Sequence, residues 1–410
     1  MKLHRKMKYD FDTVIERRGT ESVKWDEFSP EALPMWVADM DFKAAPAILE
    51  ALRRRLDHGV FGYELVPQDY FDSVSNWFST RHGWGNMDRE NIIPTTGVIP
   101  AYSACIKAFT SPGDKVIVQT PCYNAFFPAI RNNRCIESHN DLLYRDGTYR
   151  IDFDDLERKA ADPKARVLLL CNPHNPVGRV WTREELLRIA DICLRNGVFV
   201  VSDEIHCELT YPGHDYTPYG TLPQEYVSRS ATCCSPTKSF NIAGIQIANV
   251  IATDPEVLRR IDRAINDNEC CDVNVFGVAA LKAAYNESGE WLDALRDYLY
   301  DNYLTVRDFL SRELPGVVCP PLEGTYLVWL DCRSYRREGE EEEGFSLRLN
   351  DYLRENAGLV LSCGTIYGTS GEGFQRLNIA CPRERLKEGL RRLKKGLEGY
   401  SPLFAKFVKI

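Results

Sequence analysis

Short, uninterrupted apolar runs alternate with longer mixed stretches through the middle of the chain. KVIVQT (115–120), ARVLLLC (165–171), VFVVSD (198–203) and QIANVIA (246–252) have the length of strands, and their continuous apolar character fits burial on both faces of a mostly parallel sheet. Between the second and third run lies WTREELLRIADICLRNG (181–197), in which Thr182 and Glu185 form a capping box and Gly197 closes the helix. That segment completes a strand–helix–strand unit. A further helix is expected from TTGVIPAYSACIKAF (95–109), which opens on Gly97, and a long one from WLDALRDYLYDNYLTVRDFLSREL (291–314). EGTYLVWLD (323–331) reads as a strand again. The alternation predicts an α/β chain with a large, doubly wound, mostly parallel sheet.

Composition narrows this picture. A chain of 410 residues that is 44% hydrophobic can bury two cores, which suggests two or three domains. A net charge of -8 argues against nucleic acid as a partner, because phosphate binding needs a basic face. The run EGEEEEG (338–344) is expected to be a solvated loop or helix end. No apolar stretch reaches the roughly 18 residues of a membrane span, and the start MKLHRKMK has no apolar segment behind it to make a signal peptide. The fourteen cysteines include the adjacent pairs Cys233–Cys234 and Cys270–Cys271, show no zinc-finger spacing and are expected to be reduced packing residues of a cytoplasmic protein. Cys171 and His174 are spaced as CxxH but have no second ligand pair nearby, so no metal is expected.

Candidate chemistry sits at the ends of the apolar runs. Open α/β sheets bind ligands at the carboxyl ends of their strands, so Asn172 and Asn175 of NPHNPVG (172–178) and Asp203 of SDEIH (202–206) should converge on one crevice. Downstream, SPTKSFNIAG (235–244) places Lys238 among small hydroxyl-bearing residues. An ammonium group there either reaches water or has its pKa lowered for chemistry.

These three motifs, in this order, resemble the aspartate aminotransferase superfamily, the fold type I enzymes dependent on pyridoxal 5'-phosphate (PLP). The strings LPMWVADMDF (33–42), EGTYLVWLD and GFQRLNIACPR (373–383) narrow the resemblance to the cystathionine β-lyase-like carbon–sulfur lyases, over nearly the whole chain from MKYDF (7–11) to Gly399. The resemblance implies a large PLP-binding domain (46–285) inserted into a smaller α+β domain, with residues 1–45 as an N-terminal arm and the start of the small domain and 286–410 as its remainder.

It also implies roles. Lys238 would carry PLP as a Schiff base and act as general base, and Asp203 would keep the pyridine nitrogen protonated. Asn175 would donate to the ring's phenolate oxygen. Tyr123, in TPCYNAFF, would stack on the ring and share in catalysis. Gly97 and the amides of Val98 and Ile99 would hold the phosphate at a helix N-terminus, with the hydroxyls of Ser235 and Thr237 close by. His206 stands, as in the lyase branch, where the family's best-known member has a tyrosine touching the ring's phenolate oxygen, and Gln246 where many relatives have an arginine. Tyr63, in FGYE, would reach the phosphate of a neighbouring subunit, which makes the active site a shared one in a homodimer. Arg376 would clamp the substrate carboxylate through two parallel hydrogen bonds, while MWVADMDF would close the other side of the pocket. GTSGEG (368–373) is read as a flexible turn, since no strand–helix unit frames it.

The activity so implied is β-elimination from a sulfur-containing amino acid (cystathionine, cysteine or an S-substituted cysteine) to pyruvate, ammonia and a thiol. An aminotransferase would use the same site residues. A regulatory protein that binds a transcription activator, as one relative does, would use surface residues outside these motifs.

Overall fold

The computed structural model describes residues 9–85 and 87–401. The basic start MKLHRKMK and residues 402–410 lie outside the described residues. Seven strands form the main sheet: β1 (Ile92–Thr95), β2 (Lys115–Val118), β3 (Ile136–His139), β4 (Ala165–Cys171), β5 (Phe199–Asp203), β6 (Ser230–Cys234) and β7 (Ala248–Ile251). Their order is β1-β7-β6-β5-β4-β2-β3. Every neighbouring pair from β3 to β6 is parallel, and β7 runs against both β6 and β1. The expected mostly parallel sheet is therefore present.

Its strands are apolar at successive positions because both faces are covered. Val116, Val118, Val167 and Leu169 pack with the helices α1 (Val98–Phe109) and α3 (Pro255–Asn266), whereas Ile117, Leu168 and Leu170 pack with α2 (Arg183–Arg195) on the other side. The α2 helix begins as expected: Thr182 Oγ1 accepts from the Glu185 amide at 3.2 Å and Glu185 Oε2 accepts from the Thr182 amide at 2.9 Å. In-register pairing sets Cys171 opposite Asp203, so the carboxyl ends of β4 and β5 finish at one level. That shared edge is where the motifs gather.

A second, antiparallel sheet has β10 (Phe374–Asn378) between β8 (Leu327–Asp331) and β9 (Ser362–Cys363). It packs in one apolar core with α4 (Gly289–Glu313), α5 (Phe345–Ala357) and α6 (Arg383–Tyr400). Residues 33–41 run beside it: Leu33 pairs with Leu359, the Asn378 amide donates to Met35 O at 2.9 Å, and the Asp41 amide donates to Ala380 O at 2.9 Å. The lead-in to β8 is held against the NPHNPVG turn. Glu323 Oε2 accepts from Arg179 Nε at 2.9 Å and from the Val180 amide at 2.8 Å, and a Cβ at Gly324 would come within 2.9 Å of Pro173 Cβ.

The glutamate run is an exposed loop that feeds α5. GTSGEG departs from expectation: it forms a tight 3-10 turn in which a Cβ on Gly371 would lie 2.0 Å from Gly364 O, so it is packed rather than flexible. All fourteen cysteines are free thiols, with Cys270 and Cys271 exposed and most others buried. Among the described residues no helix is long and apolar enough to cross a membrane.

Candidate active site

A cavity of about 290 Å³ opens at the carboxyl ends of β4 and β5. Gly97, Val98 and Ile99 at the start of α1, Tyr123, Asn175, Asp203, His206, Thr237, Lys238 and Gln246 all line it. The first amides of an α-helix have no intrahelical partner, so the α1 N-terminus offers donors to this space. Asp203 is buried at its floor and accepts from the Ile205 amide at 3.1 Å. Burial raises its carboxyl to about 7, against the pull of that amide and of Lys238. His206 is likewise buried, and burial, helped by the charges of Lys238 and Arg376, lowers its imidazole to about 3, so it is neutral at physiological pH. Burial raises the Tyr123 phenol to about 12, which keeps it protonated.

Lys238 Nζ donates to the Ala38 carbonyl at 2.7 Å. Burial lowers its pKa to about 8, and the Arg376 charge adds to this while Asp39 and Asp203 oppose it. Arg376 is buried in the middle of β10, a costly place for a guanidinium without partners. Its Nη1 donates to Asn175 Oδ1 at 3.0 Å and its Nη2 to Trp36 O at 2.8 Å. The guanidinium lies over the Tyr367 ring, 4.8 Å from its centre, and Nε has no hydrogen-bond partner among the described residues. Asn378, two residues on, donates to Val37 O and Asp39 O at 2.5 and 2.6 Å. The segment MWVADMDF is thereby held in place, and its Ala38 lines the cavity.

Two residues, Asn172 and Ser235, stand elsewhere than the sequence suggests. Asn172 does not reach the cavity; it is buried in the turn, where Nδ2 donates to Thr217 O at 3.3 Å and Oδ1 accepts from the Trp181 amide at 3.2 Å. Ser235 is set behind the wall: its hydroxyl donates to Ile247 O at 2.6 Å and accepts from the Thr237 amide at 3.0 Å, so it supports Thr237 rather than facing the space. Tyr63 is 100% exposed and is not in the cavity wall of its own chain.

The cavity also holds residues that the sequence reading passed over. Tyr102 lies one helical turn after Val98, is buried, and its hydroxyl has no hydrogen-bond partner among the described residues. The i, i+4 spacing from Val98 was the available signal. Ala38 contributes through its backbone carbonyl, for which a side-chain pattern gives no signal.

Comparison with known proteins agrees with this geometry. The sequence model of aminotransferase class I and II matches residues 37–393. The chain is 44% identical over 393 residues to cystathionine β-lyase PatB of Bacillus subtilis, covering 95% of this chain and 100% of that one. It is 34% identical over 389 residues to protein MalY of Escherichia coli, covering 93% and 97%. Among solved structures, cystalysin from Treponema denticola, described as containing a PLP cofactor, superimposes with a TM-score of 0.91 at 36% identity over 95% of this chain and 99% of that one. The PLP-bound carbon–sulfur lyase from Staphylococcus hominis gives 0.87 at 32% identity, again over 95% and 99%. With the same fold over nearly the full length of each, the chain belongs to the aminotransferase class I and II family, in its cystathionine β-lyase-like branch.

Proposed function

We propose that this protein is a PLP-dependent carbon–sulfur β-lyase that converts cystathionine, cysteine or an S-substituted cysteine to pyruvate, ammonia and a thiol. One observation carries the reading: a single cavity brings together a lysine with a lowered pKa, a buried carboxyl at the strand ends and, beside them, a buried arginine that donates to a cavity-lining asparagine. The residues present fit the cofactor. Orphaned polar atoms surround the space, namely His206 Nδ1, Tyr102 Oη and Arg376 Nε, and a raised, buried carboxyl such as Asp203 is stabilised by a cationic partner like a pyridinium.

When bound, PLP supplies an electron sink for the pair left at the substrate's Cα. Asp203 would hold the charge of the ring nitrogen, Tyr123 would cover the ring, and Asn175 would bond its phenolate oxygen. The amides of Val98 and Ile99 and the Thr237 hydroxyl would hold the phosphate, with Gln246 contributing no positive charge. Arg376 would bind the substrate carboxylate. Lys238 would attach the cofactor, release it to the incoming amine and then remove the Cα proton. Tyr63, fully exposed beside the exposed apolar residues Phe61 and Leu65, would reach the phosphate site of a second copy in a homodimer. A cytoplasmic location, a PLP-binding domain over 46–285 and a small domain over 286–410 complete the reading.

Borohydride reduction of the PLP-loaded protein, followed by peptide mapping, tests the site. The cofactor should be fixed to the peptide that contains Lys238. A label on any other lysine contradicts the assignment.

A further inference from the structure

The roles above leave the tyrosine of EGTYLVWLD unused. Tyr326 is fully buried, and its Oη donates to the Ala38 carbonyl at 2.9 Å. The same oxygen accepts from Lys238 Nζ at 2.7 Å. Two donors, one from the entry to the small sheet and one from the end of the large one, thus meet on a single backbone acceptor. Its neighbours do not move freely, because Arg376 and Asn378 hold the carbonyls of Trp36, Val37 and Asp39. The Tyr326 ring lies edge-on to His206, with centroids 5.9 Å apart and an interplanar angle of 77°, which sets the phenol's direction.

The chemistry of the acceptor matters. A carbonyl has no proton to give, so both contacts are donations into it. A neutral amine that gives one N–H to Ala38 keeps its lone pair unspent, and with that N–H pinned the lone pair has a defined direction. An ammonium held by the same oxygen must share it with the phenol, which weakens the contact that would favour the charged form.

We propose that Tyr326 is a positioning residue for Lys238: its hydroxyl fixes the Ala38 carbonyl as the acceptor against which the amine is held, with the lone pair facing the cavity. The inference rests on the lyase reading above and concerns its proton-transfer step. In that step the Cα–H bond breaks, an N–H bond forms on Lys238, and the electron pair stays with the bound substrate.

L-Alanine isolates the step because it has no leaving group at Cβ. Exchange of its Cα proton with deuterated solvent, followed by NMR on the PLP-loaded protein across pH, reads proton removal alone. In Tyr326→Phe the exchange kcat should fall about tenfold to a hundredfold, as a misplaced base would cause, with KM for alanine within about twofold. The acid limb of the profile should move to higher pH, because the carbonyl then serves the ammonium undivided. PLP should still be fixed to Lys238 by borohydride. Exchange within about twofold of wild type and an unmoved limb overturn the proposal. Should the phenylalanine variant lose its fold or its cofactor, a ring-fluorinated tyrosine at 326 keeps the shape and strengthens the donor. The limb should then move to lower pH, and an unmoved limb again overturns the proposal. A wild-type protein that takes no PLP or exchanges no proton counts against the lyase reading, whereas a normal wild type with an indifferent variant counts against Tyr326 alone.

Discussion

Lys238 can act as a base only when neutral, and burial brings its amine to about 8 in the cofactor-free chain, far below an ordinary lysine. An amine-selective reagent should therefore label Lys238 half-maximally near that pH, while surface lysines lag by roughly two pH units. Labelling that tracks the surface lysines would show an ordinary solvated amine. Asp203 gives a second prediction with a sign. Its folded pKa is raised by burial from 3.8 to about 7, so between those values the folded chain keeps a proton that the unfolded chain loses. Stability falls as pH rises through that window, and the cost is complete above it. In the cofactor-free protein Asp203→Asn should therefore raise the melting temperature at pH above 7, by the equivalent of more than about 1 kcal/mol, and make no difference below the lower value. The same variant, loaded with PLP, should lose turnover by about a hundredfold or more. Equal stability and full activity would reduce Asp203 to a turn residue. At this scale the sequence conveyed that Lys238, Asp203 and Asn175 meet at one cavity; Arg376 lies against Asn175. Tyr326 left no such trace, because a tyrosine at the start of an apolar strand reads as packing, and Tyr102 left only its i, i+4 spacing from Val98. Asn172 and Ser235 were misplaced because spacing does not say which way a polar side chain turns once backbone groups compete for it.

The α2 helix joins the two sides of the site through its cap. Glu185 closes the capping box with Thr182 and also accepts from Arg179 Nη2 at 3.0 Å, and Arg179 in turn binds Glu323 ahead of β8. Thr182→Ala should cost about 1 kcal/mol in denaturant unfolding and leave kcat unchanged, because no reacting group moves. A large loss of kcat would show that the cap orients the NPHNPVG turn directly. The buried strands and this helix were readable because uniform apolar runs and a capping box are local signals. The pairing of Leu33 with Leu359, and the course of residues 35–41 beside β10, were not. They join segments far apart in the chain, and two-residue strands leave no periodic trace.

Tyr63 lies outside the cavity of its own chain and stands 100% exposed beside the exposed apolar residues Phe61 and Leu65. If a second copy receives it, a Tyr63 variant and a Lys238 variant, each inactive alone, should regain part of the activity when mixed, since hybrid dimers contain one site with both residues. No recovery despite demonstrated subunit exchange would show that each site is built from a single chain. Lyase and aminotransferase part at the fate of the substrate once its Cα proton is gone. Elimination is favoured when the group at Cβ leaves as a stable anion, and a thiolate, from a thiol of pKa about 8.5, leaves far more readily than hydroxide. The decisive measurement is product release from cystathionine by the PLP-loaded protein with no keto acid added. Pyruvate, ammonia and free thiol should appear in equal amounts over many turnovers. A single half-turnover that resumes only when a keto acid is supplied, with no thiol released, would contradict the lyase reading and identify an aminotransferase.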